Sequence, residues 1–239
     1  MGIKVFVDAN IFKYSATELH RFYPRQQAVV WGSNAFTTTV HDLVVINPND
    51  NIRNNEILRR EVSLIPEIVA LQTKENIEFC VTFESDVEVM GLPDMDSRPG
   101  KLYGAKISYI EPPIEYSRVV IGWDIDAKEE QYDFIKRIKS KRFLEIQRAT
   151  GAYQGINPPN RNQLLDAFHL WCAEHAKCDV FLTGEATKLK RSMSNKRDFS
   201  YGTKVLLPSE LLSVLDGGLN KKICRQITRW IRQKIRNSQ

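Results

Sequence analysis

Four acidic side chains occupy positions from which folding could bring them together for chemistry. Asp8 ends an apolar run, Ile3–Val7, whose pattern predicts a buried strand. Glu88 follows a second β-rich segment and is expected to open the next helix. Asp166 lies near the start of a helical segment, and Glu185 follows the strand after that helix. In right-handed β-α-β units, helices begin at the edge where strands end, and ligands bind at that edge. The four acids are therefore expected at one edge of a sheet.

Several carboxylates in one cleft repel each other unless a cation neutralises them. Mg²⁺ and Mn²⁺ prefer oxygen ligands, and phosphate oxygens complete their coordination shells. Such a site can activate water for hydrolysis of a phosphodiester. The chemistry indicated by these residues is thus metal-dependent phosphoryl transfer with Mg²⁺ or Mn²⁺ as the cofactor.

The elements that would position the acids follow from hydrophobic periodicity. Strands are predicted over 3–7, 77–83, 179–183 and 204–207, and helices over 11–22, 52–71 with a break at Pro66, 126–148, 161–176 and 208–212. Strands that alternate with helices favour a parallel sheet covered on both faces. We therefore expect a three-layer α/β/α architecture with a central, mainly parallel sheet.

The order of these segments resembles the PIN-domain family of metal-dependent nucleases. The residues that carry the resemblance are Asp8-Ala9-Asn10 after an apolar strand, a mid-chain Glu, Asp166-Ala167-Phe168-His169-Leu170 on a helix, and Phe181-Leu182-Thr183 before an acid. The likeness covers 3–22, 77–89 and 162–212. It implies a PIN-like fold and a nuclease that acts on RNA rather than DNA.

The resemblance also implies roles for single residues. Asp8, Glu88, Asp166 and Glu185 would be the catalytic, metal-holding acids, and Asn10 and Thr183 would position the substrate. Glu88 is preferred to Glu84 and Asp86 because it lies six residues after Thr82, as the central acid of the family does. At the last acidic position the family usually has Asp, whereas this chain has Glu185, which is one methylene longer.

The composition is that of an ordinary soluble globular protein of 239 residues with a net charge of +5. We expect a cytoplasmic protein, because neither a signal peptide nor an apolar run long enough to span a bilayer is visible. The four cysteines, Cys80, Cys172, Cys178 and Cys224, lack CxxC spacing. Buried thiols in a reducing compartment are therefore expected.

We place the nuclease domain at 1–216 and expect two additions to a compact PIN-like fold, one inserted within this domain and one that follows it. Proline- and glycine-rich sequence over about 91–125 indicates an insertion, in which 106–110 and 118–123 could pair as short strands. The segment 217–239 is predicted to form a basic amphipathic helix. That helix could dock on the body through its apolar stripe, or bind nucleic acid or a protein partner. The basic residues considered as nucleic-acid contacts are Lys188, Lys190 and Arg191 in a loop and Arg225, Arg229 and Arg232 in the helix.

Other functional classes fit the sequence less well. It contains no P-loop, GxGxxG or GxSxG motif. A haloacid-dehalogenase-like phosphotransferase would need a second Asp where Asn10 stands. His169 and His175 are six residues apart, which is the wrong spacing for a zinc site on one helical face.

The sequence thus gives two hypotheses. The leading one is a Mg²⁺- or Mn²⁺-dependent endoribonuclease, with RNA as its partner, no membrane, and a second copy or an inhibitor protein as further candidate partners. The alternative is a catalytically weak or inactive PIN-like module that binds nucleic acid or a protein.

Overall fold

The computed structural model describes residues 2–15, 19–46, 55–90, 102–117, 125–153, 155, 160–185 and 202–215. Within these residues the strands are β1 (Ile3–Val7), β2 (Leu19–Trp31), β3 (Asn34–Ile46), β4 (Ile77–Val81), β5 (Ile107–Tyr109), β6 (Val180–Leu182) and β7 (Lys204–Leu206). The helices are α1 (Ala9–Ser15), α2 (Glu56–Ser63), α3 (Ile65–Ala70), α4 (Phe83–Met90), α5 (Ile125–Lys136), α6 (Lys141–Thr150), α7 (Arg161–His175) and α8 (Pro208–Leu215). No helix of the described residues is long and apolar enough to cross a membrane.

Five strands form a central parallel sheet in the order β5-β4-β1-β6-β7. The middle strand, β1, pairs with β4 and β6, so that Phe6 lies opposite Cys80 on one side and Phe181 on the other. The prediction of a mainly parallel sheet is confirmed.

The two faces of the sheet bury separate hydrophobic clusters. Val5 and Val7 point into one cluster with α2, α3 and α8, whereas Phe6 points into the other with α6 and α7. The same alternation recurs in β6, where Phe181 lies on the Phe6 side. Because side chains of a strand alternate between faces, apolar residues at every position require helices on both sides. The expected three-layer α/β/α architecture follows.

Proline determines the division of the helical segment after residue 55. Asn55 caps α2 by accepting a hydrogen bond from the Leu58 amide at 3.0 Å, and α2 ends before Leu64. Pro66 then stands in the first turn of α3, where a missing N–H costs no helical hydrogen bond. The predicted break at Pro66 is confirmed.

Three expectations about secondary structure need correction. The helix predicted over 11–22 ends at Ser15, and the chain enters β2 at Leu19. The helix predicted over 126–148 is two helices, because Ser140 caps α6 by accepting from the Phe143 amide. Glu88, expected to open a helix, lies in the last turn of α4.

The expected insertion over 91–125 is not confirmed. Residues 107–109 within it form β5, which pairs in parallel with β4 and makes one edge of the central sheet. The strand suggested over 118–123 and most of the remaining segment lie outside the described residues, as does the helix expected over 217–239. The two long strands β2 and β3 instead form a separate antiparallel hairpin, which the sequence analysis did not predict.

Candidate metal centre

The candidate site lies at the point of the central sheet where the order of strand addition reverses. From β1 the chain adds β4 and β5 on one side and later adds β6 and β7 on the other. Ligands of open α/β sheets bind at the carboxyl edge beside such a switch point. Asp8 directly follows β1, and Thr183 directly follows β6, so that both residues stand at this crevice.

A cavity of about 290 Å³ opens at that edge. Its lining includes all six side chains selected from the sequence as catalytic or substrate-positioning, namely Asp8, Asn10, Glu88, Asp166, Thr183 and Glu185. The lining also contains four polar residues that were not predicted from the sequence, namely Lys13, Tyr14, Lys128 and Asn162. The acids, separated by up to 177 positions in the sequence, therefore converge as the β-α-β argument predicts.

Asn10 ties the ends of β1 and β6 together. Its Nδ2 donates to Asp8 Oδ2 at 2.6 Å and to Thr183 Oγ1 at 2.9 Å. Its Oδ1 accepts from the Gly184 amide at 3.0 Å, and Thr183 Oγ1 accepts from the Glu185 amide at 3.2 Å. Asp8 is only 4% exposed, so this network fixes the direction of a nearly buried carboxylate.

Glu88 is the acid of α4 that faces the cavity. Glu84 is buried elsewhere, where its carboxylate accepts from Tyr116 Oη at 2.8 Å and Gln131 Nε2 at 2.9 Å. Asp86 accepts a hydrogen bond from Tyr109 Oη. The three acids therefore point to different surroundings, and the choice of Glu88 among them agrees with the lining of the cavity.

His169 is a component of the site that the sequence analysis set aside. It is 1% exposed, and its Nε2 pairs with Glu88 Oε1 while its Nδ1 lies 3.4 Å from Thr82 Oγ1. Burial alone would lower the pKa of His169, but the charge and hydrogen bond of Glu88, with the charge of Asp8, raise it above its usual value. One available signal was the i, i+3 spacing from Asp166, which places both side chains on neighbouring parts of one helical face.

The electrostatics of the cavity are those of crowded acids. Burial raises the pKa of Asp8 to about 6, although the hydrogen bond from Thr183 opposes the rise. Burial, followed by the charges of Asp8 and Glu88, raises the pKa of Asp166 to about 8. Burial and the neighbouring Glu185 raise the pKa of Tyr14. The cluster therefore retains protons at pH values where isolated carboxyl groups are ionised, which is the situation that a bound cation would relieve.

The carboxylate oxygens of the four acids are the type of ligand that a hard divalent cation prefers, but the side chains are not arranged around a common metal position. Among the described residues, no group of three or more His, Cys, Asp or Glu side chains is arranged to hold a metal ion. One oxygen of Glu88 is engaged by His169, and Glu185 is exposed at the rim. Joint coordination by the four acids would therefore require these side chains to turn toward each other.

The described cysteines do not join the site. Cys80, Cys172 and Cys178 are free and buried, which confirms that part of the expectation, and Cys80 Sγ lies 3.4 Å from Cys178 Sγ. Larger cavities exist, such as one of about 790 Å³ beside Phe83 and Tyr109, but the four acids lie around the smaller one. Chemistry rather than volume therefore identifies the candidate site.

Comparison of the chain with models of protein families, with characterised proteins and with solved structures found no match. The basic residues predicted to bind nucleic acid cannot be located relative to the cavity, because Lys188, Lys190, Arg191 and the C-terminal arginines lie outside the described residues.

Proposed function

We propose that this protein is a PIN-like, Mg²⁺- or Mn²⁺-dependent nuclease that hydrolyses phosphodiester bonds, with RNA as its substrate. The observation that carries the proposal is the convergence of Asp8, Glu88, Asp166 and Glu185 on one cavity at the carboxyl edge of a parallel sheet. RNA is preferred to DNA only because of the resemblance in sequence motifs.

The four acids would hold the cation, since carboxylate oxygens are the ligands that Mg²⁺ and Mn²⁺ prefer. When bound, such an ion supplies charge stabilisation to a phosphate oxygen and lowers the pKa of water. The raised pKa values of Asp8 and Asp166 support this assignment, because they arise partly from repulsion within the cluster. No side chain needs to act as a covalent nucleophile.

The neighbouring polar residues would fix the acids. Asn10 and Thr183 hold Asp8 in one orientation through the hydrogen bonds described above. His169 holds one oxygen of Glu88 and carries a proton at Nε2 when that pair is charged. Groups that orient metal ligands in this way commonly contribute 10–100-fold to metal affinity or activity, as an order of magnitude.

Two lysines supply positive charge at the same cavity. Lys13 on α1 and Lys128 on α5 both line it together with the acids. Ammonium groups beside a carboxylate cluster can bind the phosphates that flank a scissile bond, because a lysine attracts the negative charge of a phosphate. They would thereby offset the repulsion between an anionic substrate and the acids.

The test is cleavage of unstructured and structured RNA and DNA by the purified protein in Mn²⁺ or in EDTA. We expect cleavage of single-stranded RNA in Mn²⁺, none in EDTA, and loss of activity in Asp8→Asn. Asp133→Asn, which changes an exposed acid of α5, is the control and should leave cleavage unchanged. If no substrate is cut with any divalent metal, or if Asp8→Asn cuts as well as the wild type, the proposal fails.

The alternative is a weak or inactive module that binds nucleic acid or a protein. The exposed Glu185 in place of the family's Asp and the engagement of Glu88 by His169 favour it. Ligands that bind the native state raise its melting temperature. An unchanged melting temperature at millimolar Mn²⁺, together with binding of uncut RNA, would favour this module over the nuclease.

A further inference from the structure

The hairpin of β2 and β3 forms a two-stranded sheet of its own within the part of the chain that the structure describes. The strands pair over thirteen rungs, from Leu19 opposite Ile46 to Trp31 opposite Asn34, around a loop that contains Gly32 at φ 63°. None of the hairpin's described side chains belongs to either core cluster. Trp31 and Val30 near the tip are 78% and 72% exposed. An isolated two-stranded ribbon is marginally stable in water, and independent stability needs three or more strands or packing against a helix.

The two outer edges of this ribbon differ in how well they are protected against pairing with a further strand. β2 contains Pro24 and two arginines, which are residues that discourage pairing with another strand. β3 has the sequence Asn-Ala-Phe-Thr-Thr-Thr-Val-His-Asp-Leu-Val-Val-Ile, without proline, glycine or lysine. Its single acid, Asp42, is already paired with Arg25 of β2 at 2.7 Å. The edge of β3 is thus a long, nearly uncharged row of residues that favour strand pairing.

The geometry points to a second copy of this chain as the occupant of the β3 edge. Antiparallel pairing of β3 with β3 of the second copy would give a four-stranded sheet and so exceed the three strands that an independent sheet needs. Such pairing is isologous, since the same edge is used by both copies. A nucleic acid is a poorer fit, because an electrostatic footprint for phosphates requires clustered basic residues, and β3 contains neither Lys nor Arg.

The size of the contact sets the expected strength. A strand of 13 residues is about 44 Å long at about 3.4 Å per residue, and a sheet is about 10 Å thick. Edge pairing would therefore bury about 440 Å² per copy, which is below the roughly 800 Å² per partner of a standard stable interface. The dimer is expected to be concentration-dependent rather than obligate.

Pro24 also indicates which amides face outward. A proline within a ladder is compatible with pairing where its missing N–H would face away from the partner strand. In an antiparallel pair, the backbone N–H groups of two directly opposite residues either both point to the partner strand or both point outward, and this alternates along the ladder. The N–H of His41, opposite Pro24, therefore points outward, and so do those of Thr39 and Thr37, two and four residues before it. Thr37→Pro should therefore block the β3 edge while the hairpin remains, and Ala28→Pro on the same rung is its matched control on the β2 edge.

The first measurement is sedimentation velocity of the full chain over about 1–200 µM. We expect a monomer–dimer equilibrium that Thr37→Pro weakens by at least tenfold and that Ala28→Pro leaves within twofold. A monomer at every concentration overturns the proposal. A dimer that responds equally to both prolines, or to neither, also overturns it.

A second measurement needs no variant. Amide hydrogen exchange of the wild-type protein at low and high concentration should show more added protection across 34–46 than across 19–31. If concentration leaves 34–46 unprotected, or if protection appears only on addition of a single-stranded oligonucleotide, the edge does not bind a second copy. The latter result would make the hairpin a nucleic-acid arm.

Discussion

Replacing Asp166 with Asn should stabilise the metal-free protein, and the stabilisation should grow with pH. The pKa of Asp166 is raised from 3.8 to about 8 in the folded state. Above pH 4 the unfolded chain has released a proton that the folded chain keeps, so the free energy of unfolding falls as pH rises toward 8. Asn resembles the protonated acid at every pH and removes this dependence.

The magnitude follows from the size of the shift. A rise in pKa from 3.8 to about 8, at about 1.4 kcal/mol per pKa unit, corresponds to a loss of about 6 kcal/mol from the free energy of unfolding at high pH. Asp166 is partly exposed, and solvent screening reduces the value to about 2 kcal/mol. For a chain of this size about 2 kcal/mol corresponds to about 4–8 °C in melting temperature.

The assay is a thermal unfolding series in EDTA between pH 5 and pH 8. The wild-type melting temperature should fall over this range, and the gap to Asp166→Asn should widen to about 4–8 °C at pH 8. Asp133→Asn, an exposed acid of α5, serves as the control and should follow the wild type. A gap that stays constant with pH, or a variant less stable than the wild type at pH 8, would refute the electrostatic account of the cluster.

Three further predictions concern the surroundings of the acids and the tail. His169→Gln should lower Mn²⁺-dependent cleavage by about 10–100-fold while single-stranded RNA still binds, because Glu88 loses its partner; RNA cleavage at wild-type rate in a kinetic assay would show that the pair is dispensable. Asn10→Ala should lower cleavage and destabilise the fold by about 1–3 kcal/mol in a urea titration, because it leaves polar partners of the Asn10 amide unsatisfied; full stability would contradict the network. Neutralising three arginines of the C-terminal segment 217–239 together, namely Arg225, Arg229 and Arg232, should weaken RNA binding and flatten its dependence on salt in a fluorescence titration. An unchanged dependence of the affinity on salt would show that this segment does not contact the RNA.

Much of the site could be predicted because local pattern and topology agree there. The apolar run before Asp8 has buried residues on both sides of the sheet, so it could only be a central strand covered by two helical layers. Once the β-α-β order is accepted, connection rules place Asp8, Glu88, Asp166 and Glu185 at one edge without any knowledge of their contacts. These rules depend on chain order rather than on individual side chains, which is why they succeed.

The unpredicted features depend on contacts between distant residues. His169 meets Glu88 across 81 positions, and no spacing within the helix reveals the direction of its ring. The hairpin was missed because β2 interrupts its polar–apolar alternation with runs such as Val29-Val30-Trp31, and each strand is stabilised by its partner rather than by its own pattern. The same lack of a local signal explains the helix wrongly extended from Ser15 to Phe22, where pairing with β3 overrides helical periodicity.

The central claim, that the four acids form one divalent-cation site, is tested most directly by calorimetric titration of the wild-type protein with Mn²⁺. We expect saturable binding that strengthens from pH 6 to pH 8, since the ion displaces protons from Asp8 and Asp166, whose pKa values are about 6 and about 8. The binding should be lost in both Asp8→Asn and Asp166→Asn and retained in Asp133→Asn. Absence of binding at millimolar Mn²⁺, or binding that survives both substitutions, would contradict the account.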